Sequence, residues 1–219
     1  MKKCINNILS LLFVLSSLSL FALSECFSCE NPIVLPTSAD DNIVLPEVYD
    51  QDDDPIRIGM TYIIKNPNIG GGAVYLDNIG HLKCPNAVLQ HIPVPGLMGN
   101  GTAVMFVRDK SDDGEVVRVM TLVYIKFFVE TTPLCVNETV WKVNDEQIVV
   151  TGGEVGNEND IFKIMSTDIK IRDYKNVYKL LHCPPYVKCN AIGGSFKNEH
   201  VRLVTVDGEG FTPFVFIKA

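Results

Sequence analysis

The chain holds few residues whose types and spacing could do chemistry. His81, His91, His182 and His200 stand singly along it, as surface or hydrogen-bonded core histidines do and as a catalytic base paired with a nucleophile does not. There is no Gly-x-Ser-x-Gly elbow and no His-Glu-x-x-His, so the commonest hydrolase signatures are missing. Gly70-Gly71-Gly72 lacks the Lys-Ser/Thr and the helix that would hold a phosphate, and reads as a tight turn. The carboxylates Asp50, Asp52, Asp53 and Asp54 lack the Gly and distal Glu of an EF-hand loop and read as a solvated turn. No enzyme activity, metal or cofactor is expected. One segment mixes charge densely: Arg108-Asp109-Lys110-Ser111-Asp112-Asp113-Gly114-Glu115 sets two basic residues among four carboxylates.

The elements that would position that segment follow from the rest of the chain. Its 219 residues are 47% hydrophobic and 21% charged, a composition that supports a sizeable core and excludes disorder and coiled coil. A net charge of -7 gives phosphate backbones no basic surface to bind, so nucleic acid is not an expected partner. Lys2 and Lys3 precede the apolar run Ile8 to Leu23, which ends in Ala22-Leu23-Ser24. The run is too short to span a bilayer and reads as a signal peptide over residues 1–24, with no membrane segment in the mature chain. Cleavage after Ser24 removes Cys4 and delivers the remaining cysteines to an oxidising compartment.

Residues 25–43 read as a propeptide. Asn31-Pro32-Ile33-Val34-Leu35-Pro36 disfavours regular structure; it resembles the vacuolar sorting determinant of plant propeptides, and an extended arm is the competing reading. Cys26 and Cys29 form a Cys-x-x-Cys without the second pair or the strand-to-helix context that redox or zinc chemistry needs, and are expected to be trimmed.

From Val44 the chain reads as all-β. Short runs rich in Val, Ile, Tyr and Phe lie between Gly, Pro, Asn and Asp clusters, at Thr61–Lys65, Ala73–Leu76, Ala103–Val107, Val116–Met120, Leu122–Val129, Thr139–Val143, Gln147–Thr151, Ile161–Met165, Tyr178–Leu181, Val201–Val206 and Phe214–Ile217. So many strands in one domain must close on themselves or pack as two sheets. Stretches beginning near Ile56, Thr102 and Ile161 are faintly alike, through Tyr62-Ile63-Ile64, Trp141-Lys142-Val143 and Phe162-Lys163-Ile164, which suggests a threefold arrangement. Ile56, Tyr62, Ile64, Trp141, Phe162 and Leu180 are the expected core.

An ordered set of motifs runs through residues 44–219. It opens with Val48-x-Asp50-x-x-Asp53-x-x-Ile56 and Tyr62-x-Ile64, and continues through Gly70-Gly71-Gly72, Cys84-Pro85, Ile125-Lys126-Phe127, and Cys135 leading into Thr139-Val140-Trp141-Lys142-Val143. Phe162-Lys163-Ile164, Tyr178-Lys179-Leu180, Cys183-Pro184, Arg202-Leu203-Val204 and Pro213-Phe214-Val215 complete it. In this the chain resembles the plant Kunitz inhibitors of the soybean trypsin inhibitor type. The resemblance implies a β-trefoil of twelve strands, a six-stranded barrel capped by three hairpins. It implies two disulfides, Cys84 with Cys135 and Cys183 with Cys189, the first worth on the order of 4 kcal/mol in the loop-closure view.

The same resemblance implies a monomer whose exposed loop imitates a substrate and whose partner is a protease, endogenous or from a herbivore or pathogen, of the serine, cysteine or aspartic class. Counting forward from Cys84 centres the loop near Arg108; counting back from Ile125-Lys126-Phe127 centres it near Asp113. The candidates are therefore Arg108, Asp109, Lys110, Ser111, Asp112, Asp113 and Gly114, with Arg108 or Lys110 suited to a trypsin-like pocket and the neighbouring carboxylates opposed to it. The family pattern has a loop-bracing Asn four residues before the Tyr, where this chain has Ile58, whose side chain cannot donate those bonds. A non-inhibitory defence, storage or miraculin-like relative is the alternative. Asn100-Gly101-Thr102 and Asn137-Glu138-Thr139 have the glycosylation form, and the leader points to a secreted or vacuolar destination.

Overall fold

The computed structural model describes residues 44–68, 71–77, 86–92, 99–109, 115–129, 139–197, 200–207 and 210–219. The signal peptide, the propeptide with its sorting-like segment, Cys4, Cys26, Cys29, Gly70, His81, Cys84, Cys135, Asn137 and the stretch Lys110, Ser111, Asp112, Asp113, Gly114 lie outside the described residues.

Twelve strands and one short 3-10 turn, Glu158–Asp160, make up the regular structure among the described residues. In chain order the strands are β1 Thr61–Lys65, β2 Val74–Asp77, β3 Ala87–Gln90, β4 Val104–Val107, β5 Leu122–Phe127, β6 Val140–Val143, β7 Val149–Gly153, β8 Phe162–Ser166, β9 Tyr178–His182, β10 Asn190–Lys197, β11 His200–Val206 and β12 Val215–Lys218. Six of them form a ring of antiparallel neighbours: β12 pairs β1, β1 pairs β4, β4 pairs β5, β5 pairs β8 and β8 pairs β9. Reciprocal bonds between Tyr178 and Phe214, each amide to the other's carbonyl at 2.8 Å, close the ring just ahead of β12. The remaining strands are three hairpins, β2–β3, β6–β7 and β10–β11, joined to one another by Ala87 opposite Val150, Arg202 opposite Leu89 and Ile148 opposite Val204. This is a β-trefoil, and closing the barrel removes the strand edges that an open sheet would present.

Side chains on a strand alternate between faces, so each barrel strand sends every second residue inward. The inward pairs are Tyr62 and Ile64 on β1, Val104 and Phe106 on β4, Val123 and Ile125 on β5, Phe162 and Ile164 on β8, Tyr178 and Leu180 on β9, and Phe214 and Phe216 at β12; all are buried in one cluster. Burial of each stabilises by roughly 1.5–3 kcal/mol. The threefold repeat has a different frame from the sequence expectation. Tyr62-Ile63-Ile64 corresponds to Val123-Tyr124-Ile125 and Tyr178-Lys179-Leu180, the first strand of each third, whereas Trp141 lies on a hairpin strand and Phe162 on a fourth strand. The equivalence is carried by which face points inward, a property shared by Val and Tyr, and a search for matching aromatics misses it.

Three local expectations also change. Val116–Met120 is no strand: its residues are held by single bridges, Arg57 to Val116 and Glu47 to Arg118, and it turns at Met120. Strands β3 and β10 were not expected. Strand β3 is buried at all four positions and so shows no alternation. Strand β10 carries Gly193 and Gly194, which weaken a strand pattern, yet a Cβ at Gly193 would meet the Gly210 carbonyl and the Val206 side chain at 2.8 Å. Finally, Asp50 does not belong to a solvated turn. It is 1% exposed, and its Oδ1 accepts from the amides of Asp52 at 2.9 Å and Asp54 at 3.0 Å, shaping the turn from inside.

Candidate functional site

The charged segment leaves the barrel at the end of β4 and returns ahead of β5, and the described residues fix both of its legs. The outgoing leg follows directly from β4, where Phe106 is fully buried and Val107 pairs with Tyr124. The returning leg, Glu115 to Val119, threads between two N-terminal stretches. Ile56 and Val48 bond Val117 on either side, at 2.8 and 2.9 Å, and the Val119 amide donates to the Pro46 carbonyl at 2.8 Å. Val117 is fully buried. Arg118 adds bonds from its guanidinium to the Leu45 carbonyl at 2.8 Å and to Glu47 Oε1 at 3.2 Å.

Two successive amides hold the legs together. Ile58 N–H donates to the Glu115 carbonyl at 2.8 Å, and Gly59 N–H donates to the Phe106 carbonyl at 3.0 Å. Gly59 adopts φ 80, a left-handed conformation that glycine reaches without steric cost and that lets adjacent amides address two different strands. The Ile58 side chain, meanwhile, is 2% exposed and packs in the central core. The position that the family pattern gives to a bracing Asn thus serves this loop through its backbone.

Arg108 is the first sequence candidate that the structure describes, and its guanidinium is engaged on three sides. Nη1 donates to Glu115 Oε1 at 2.6 Å, Nη2 to Thr121 Oγ1 at 2.7 Å, and Nε to the Leu122 carbonyl at 3.1 Å. Its side chain is 18% exposed. Asp109 follows it at the surface, and Tyr124 lies across from Val107 with its phenol pKa raised, first by burial and further by the Asp109, Asp160 and Glu158 carboxylates.

The other candidates are dispersed. Cys183 and Cys189 are joined by a disulfide that closes the β9–β10 turn, with Tyr186 fully exposed between them at φ 62. Asn100 is exposed in the connection before β4, and the Thr102 hydroxyl accepts from the Leu76 amide at 3.0 Å. His182 is buried against the Asn159 carbonyl and His91 stacks on Tyr75 at 3.9 Å. Gly71 turns the chain: its amide donates to the Asn68 carbonyl, and a Cβ there would strike Asn66. Among the described residues no group of His, Cys, Asp and Glu is disposed to hold a metal ion.

Sequence reasoning missed the amides of Ile58 and Gly59, Thr121 and the Leu122 carbonyl. Backbone donors leave no composition signal. The Arg108–Glu115 pair had one, opposite charges seven residues apart across a hairpin base, legible once β4 and β5 are known to be neighbours.

Comparison with known proteins places these features in context. The Kunitz legume family, described as trypsin and protease inhibitor, matches residues 48–218. Cysteine protease inhibitor 8 of Solanum tuberosum is 67% identical over 217 residues, which covers 97% of this chain and 98% of that protein. Cysteine protease inhibitor 1 of the same plant is 66% identical over 218 residues, covering 97% and 98%. Among solved structures, the Kunitz-type cysteine protease inhibitor PCPI-3 from potato superposes with a TM-score of 0.64 at 32% identity, over 80% of this chain and 98% of that one.

Proposed function

The chain belongs to the Kunitz trypsin and protease inhibitor family, and from that premise we propose that it inhibits a cysteine endopeptidase by presenting the segment 108–115 as a rigid substrate mimic. The observation that carries this reading is the double tie of the legs: consecutive amides, Ile58 and Gly59, bond Glu115 and Phe106 on opposite sides of the segment. Legs held in place before binding lower the conformational entropy lost in the protease cleft. Legs that stay fastened to the barrel also keep the ends together after a cut, so that religation competes with release. No group of the inhibitor takes part in the chemistry.

The charge of the segment favours the cysteine class over trypsin. With Arg108 paired to Glu115, Lys110 is the basic residue left to offer a carboxylate-based pocket, and it stands among Asp109, Asp112 and Asp113. Like charges across an interface cost binding free energy. Relatives at 67% and 66% identity carry the name cysteine protease inhibitor. A secretory leader, residence outside the cell or in the vacuole, glycans at Asn100 and Asn137, and a monomeric state belong to the same proposal.

The test is a panel. Mature protein is incubated with papain, trypsin and cathepsin D, inhibition constants are measured, and any cut ends are sequenced. Nanomolar inhibition of papain, with any slow cut inside 108–115, is expected. Absence of inhibition in all three classes at micromolar protein would return the chain to the non-inhibitory alternative.

A further inference from the structure

We propose that Arg108 is the positioning residue of this segment, the side-chain brace that fastens its two legs, and not the residue that enters a protease pocket; the assignment rests on the reading of 108–115 as the inhibitory segment. A residue that fills a specificity pocket must extend away from its own protein. Arg108 does the reverse. Its planar fork lies back over the barrel rim and meets three acceptors in one arrangement: Glu115 Oε1 on the returning leg, Thr121 Oγ1 in the turn beyond it, and the Leu122 carbonyl at the start of β5. The Thr121 hydroxyl, having accepted from Arg108, donates onward to the Arg118 carbonyl at 2.6 Å, so the brace extends into the Arg118–Thr121 turn. Entering a pocket would break all of these bonds together.

The chemistry requires arginine. Only a guanidinium supplies Nε and two Nη donors in a fixed plane, and its bonds to an ionised acceptor are among the stronger hydrogen bonds of proteins. A lysine at this place would offer one point of charge and could not reach three acceptors at once. The core side chain Ile58 explains why the brace stands here. Where the family pattern has a side-chain amide beneath the loop, this chain buries Ile58 in the barrel and keeps only the backbone bond to Glu115. The donors withdrawn from below are supplied by Arg108 from the outgoing leg, and they reach the same residue, Glu115, at its side chain. The two ties therefore grip Glu115 by its carbonyl and its carboxylate.

Two sets of measurements test this. The first needs no target: free wild-type protein, Arg108→Lys, Arg108→Gln, Glu115→Gln and Thr121→Val are digested with dilute subtilisin, and the rate of cutting within 108–115 is followed by mass spectrometry. All four variants should be cut there about tenfold faster than wild type, lysine included, as loss of a charge-assisted bond from a locally opening segment implies. Denaturation midpoints identify any variant whose whole fold is weakened, and Glu115→Gln, on the exposed side of the pair, keeps the test independent of Arg108 itself. Cutting rates equal to wild type in Arg108→Lys and Glu115→Gln would overturn the brace. The second set uses the inhibited protease. The variants should be consumed as substrates, with weakened inhibition, and the newly exposed N-terminus should lie beyond Asp109. A new N-terminus at Asp109, with inhibition of a trypsin-like enzyme kept by Arg108→Lys, would make Arg108 the pocket residue and overturn the proposal. If wild type inhibits nothing, the functional reading fails while the first set still decides the brace.

Discussion

The main-chain amide of Tyr49 donates to the phenol oxygen of Tyr178 at 2.8 Å, a bond between residues 129 apart in sequence. The phenol belongs to a ring that is 5% exposed and stacks on Phe216 at 5.5 Å between centroids. One side chain thus fills the barrel and fastens the N-terminal stretch that in turn flanks the returning leg of the charged segment. Around it, Gln51 and Lys175, Asn176 and the Asp50 carbonyl, and Asp53 and Lys175 make the same junction from outside.

Tyr178→Phe separates the two roles. The substitution keeps the stacked ring and removes the acceptor, leaving the Tyr49 amide unpaired in a part-buried place. Stability should fall by about 1–2 kcal/mol, read as a lower urea midpoint with an unchanged slope. An unchanged midpoint would mean that solvent takes over the Tyr49 amide and that the junction rests on its other bonds.

Trp141 gives a prediction about size against polarity. It is fully buried, meets Phe127 at 5.5 Å and Phe162 edge-on at 6.1 Å, and its indole N–H has no hydrogen-bond partner among the described residues. Trp141→Ala should cost roughly 3–5 kcal/mol through the cavity it opens. Trp141→Phe should cost less than half as much, because it leaves a smaller void and also removes a buried donor that is paying a desolvation penalty of about 1–3 kcal/mol. Since this is the chain's single tryptophan, far-UV circular dichroism should follow the unfolding. Equal losses in the two variants would show that the indole N–H is satisfied by water in solution.

How far the sequence went depends on what each feature needs. The barrel strands were legible wherever two inward residues flank an outward one, as in Tyr62-Ile63-Ile64 and Tyr178-Lys179-Leu180, and Thr61–Lys65 was located to the residue. Strand β3 was hidden because all four of its residues are buried, and β10 because Gly193 answers to the approach of Gly210 and Val206, partners remote in sequence or visible only in three dimensions. The run at Asp50 looked solvated because a carboxylate's exposure depends on what surrounds it, and two amides of the following turn surround this one. In the candidate site the segment itself was placed by the family resemblance, counting from Cys84 and from Ile125-Lys126-Phe127. The part played by Arg108 was not, since a basic residue reaching a pocket and one folded back on its own hairpin have the same letter in the sequence. Register between β4 and β5 separates them.

Buried histidine makes stability depend on pH in a window distinct from that of the carboxylates. His182 lies 8% exposed on β9, against the ring of Phe162, with Nε2 at 2.7 Å from the Asn159 carbonyl. A carbonyl accepts only, so Nε2 carries the proton and the neutral ring satisfies the bond. Burial holds the His182 pKa below its ordinary value, outweighing the Asn159 bond and the Asp160 carboxylate that pull upward; His91 is lowered also by burial, against the pull of Asp77. Below the ordinary imidazole value of about 6.5 the unfolded chain therefore takes up protons that the folded chain refuses. Stability should fall as pH drops through that value and level off only below the folded-state pKa. Asp53 differs: its bonds to Lys175 and Asn176 lower its pKa, so its contribution is intact above the ordinary carboxylate value and is lost only in stronger acid. His182→Gln retains a donor for Asn159 and should flatten the decline that begins as pH falls through about 6.5, leaving the carboxylate limb unchanged. A His182 ring proton that titrates by NMR at or above the ordinary histidine value would contradict this account, since burial would then not govern the charge state.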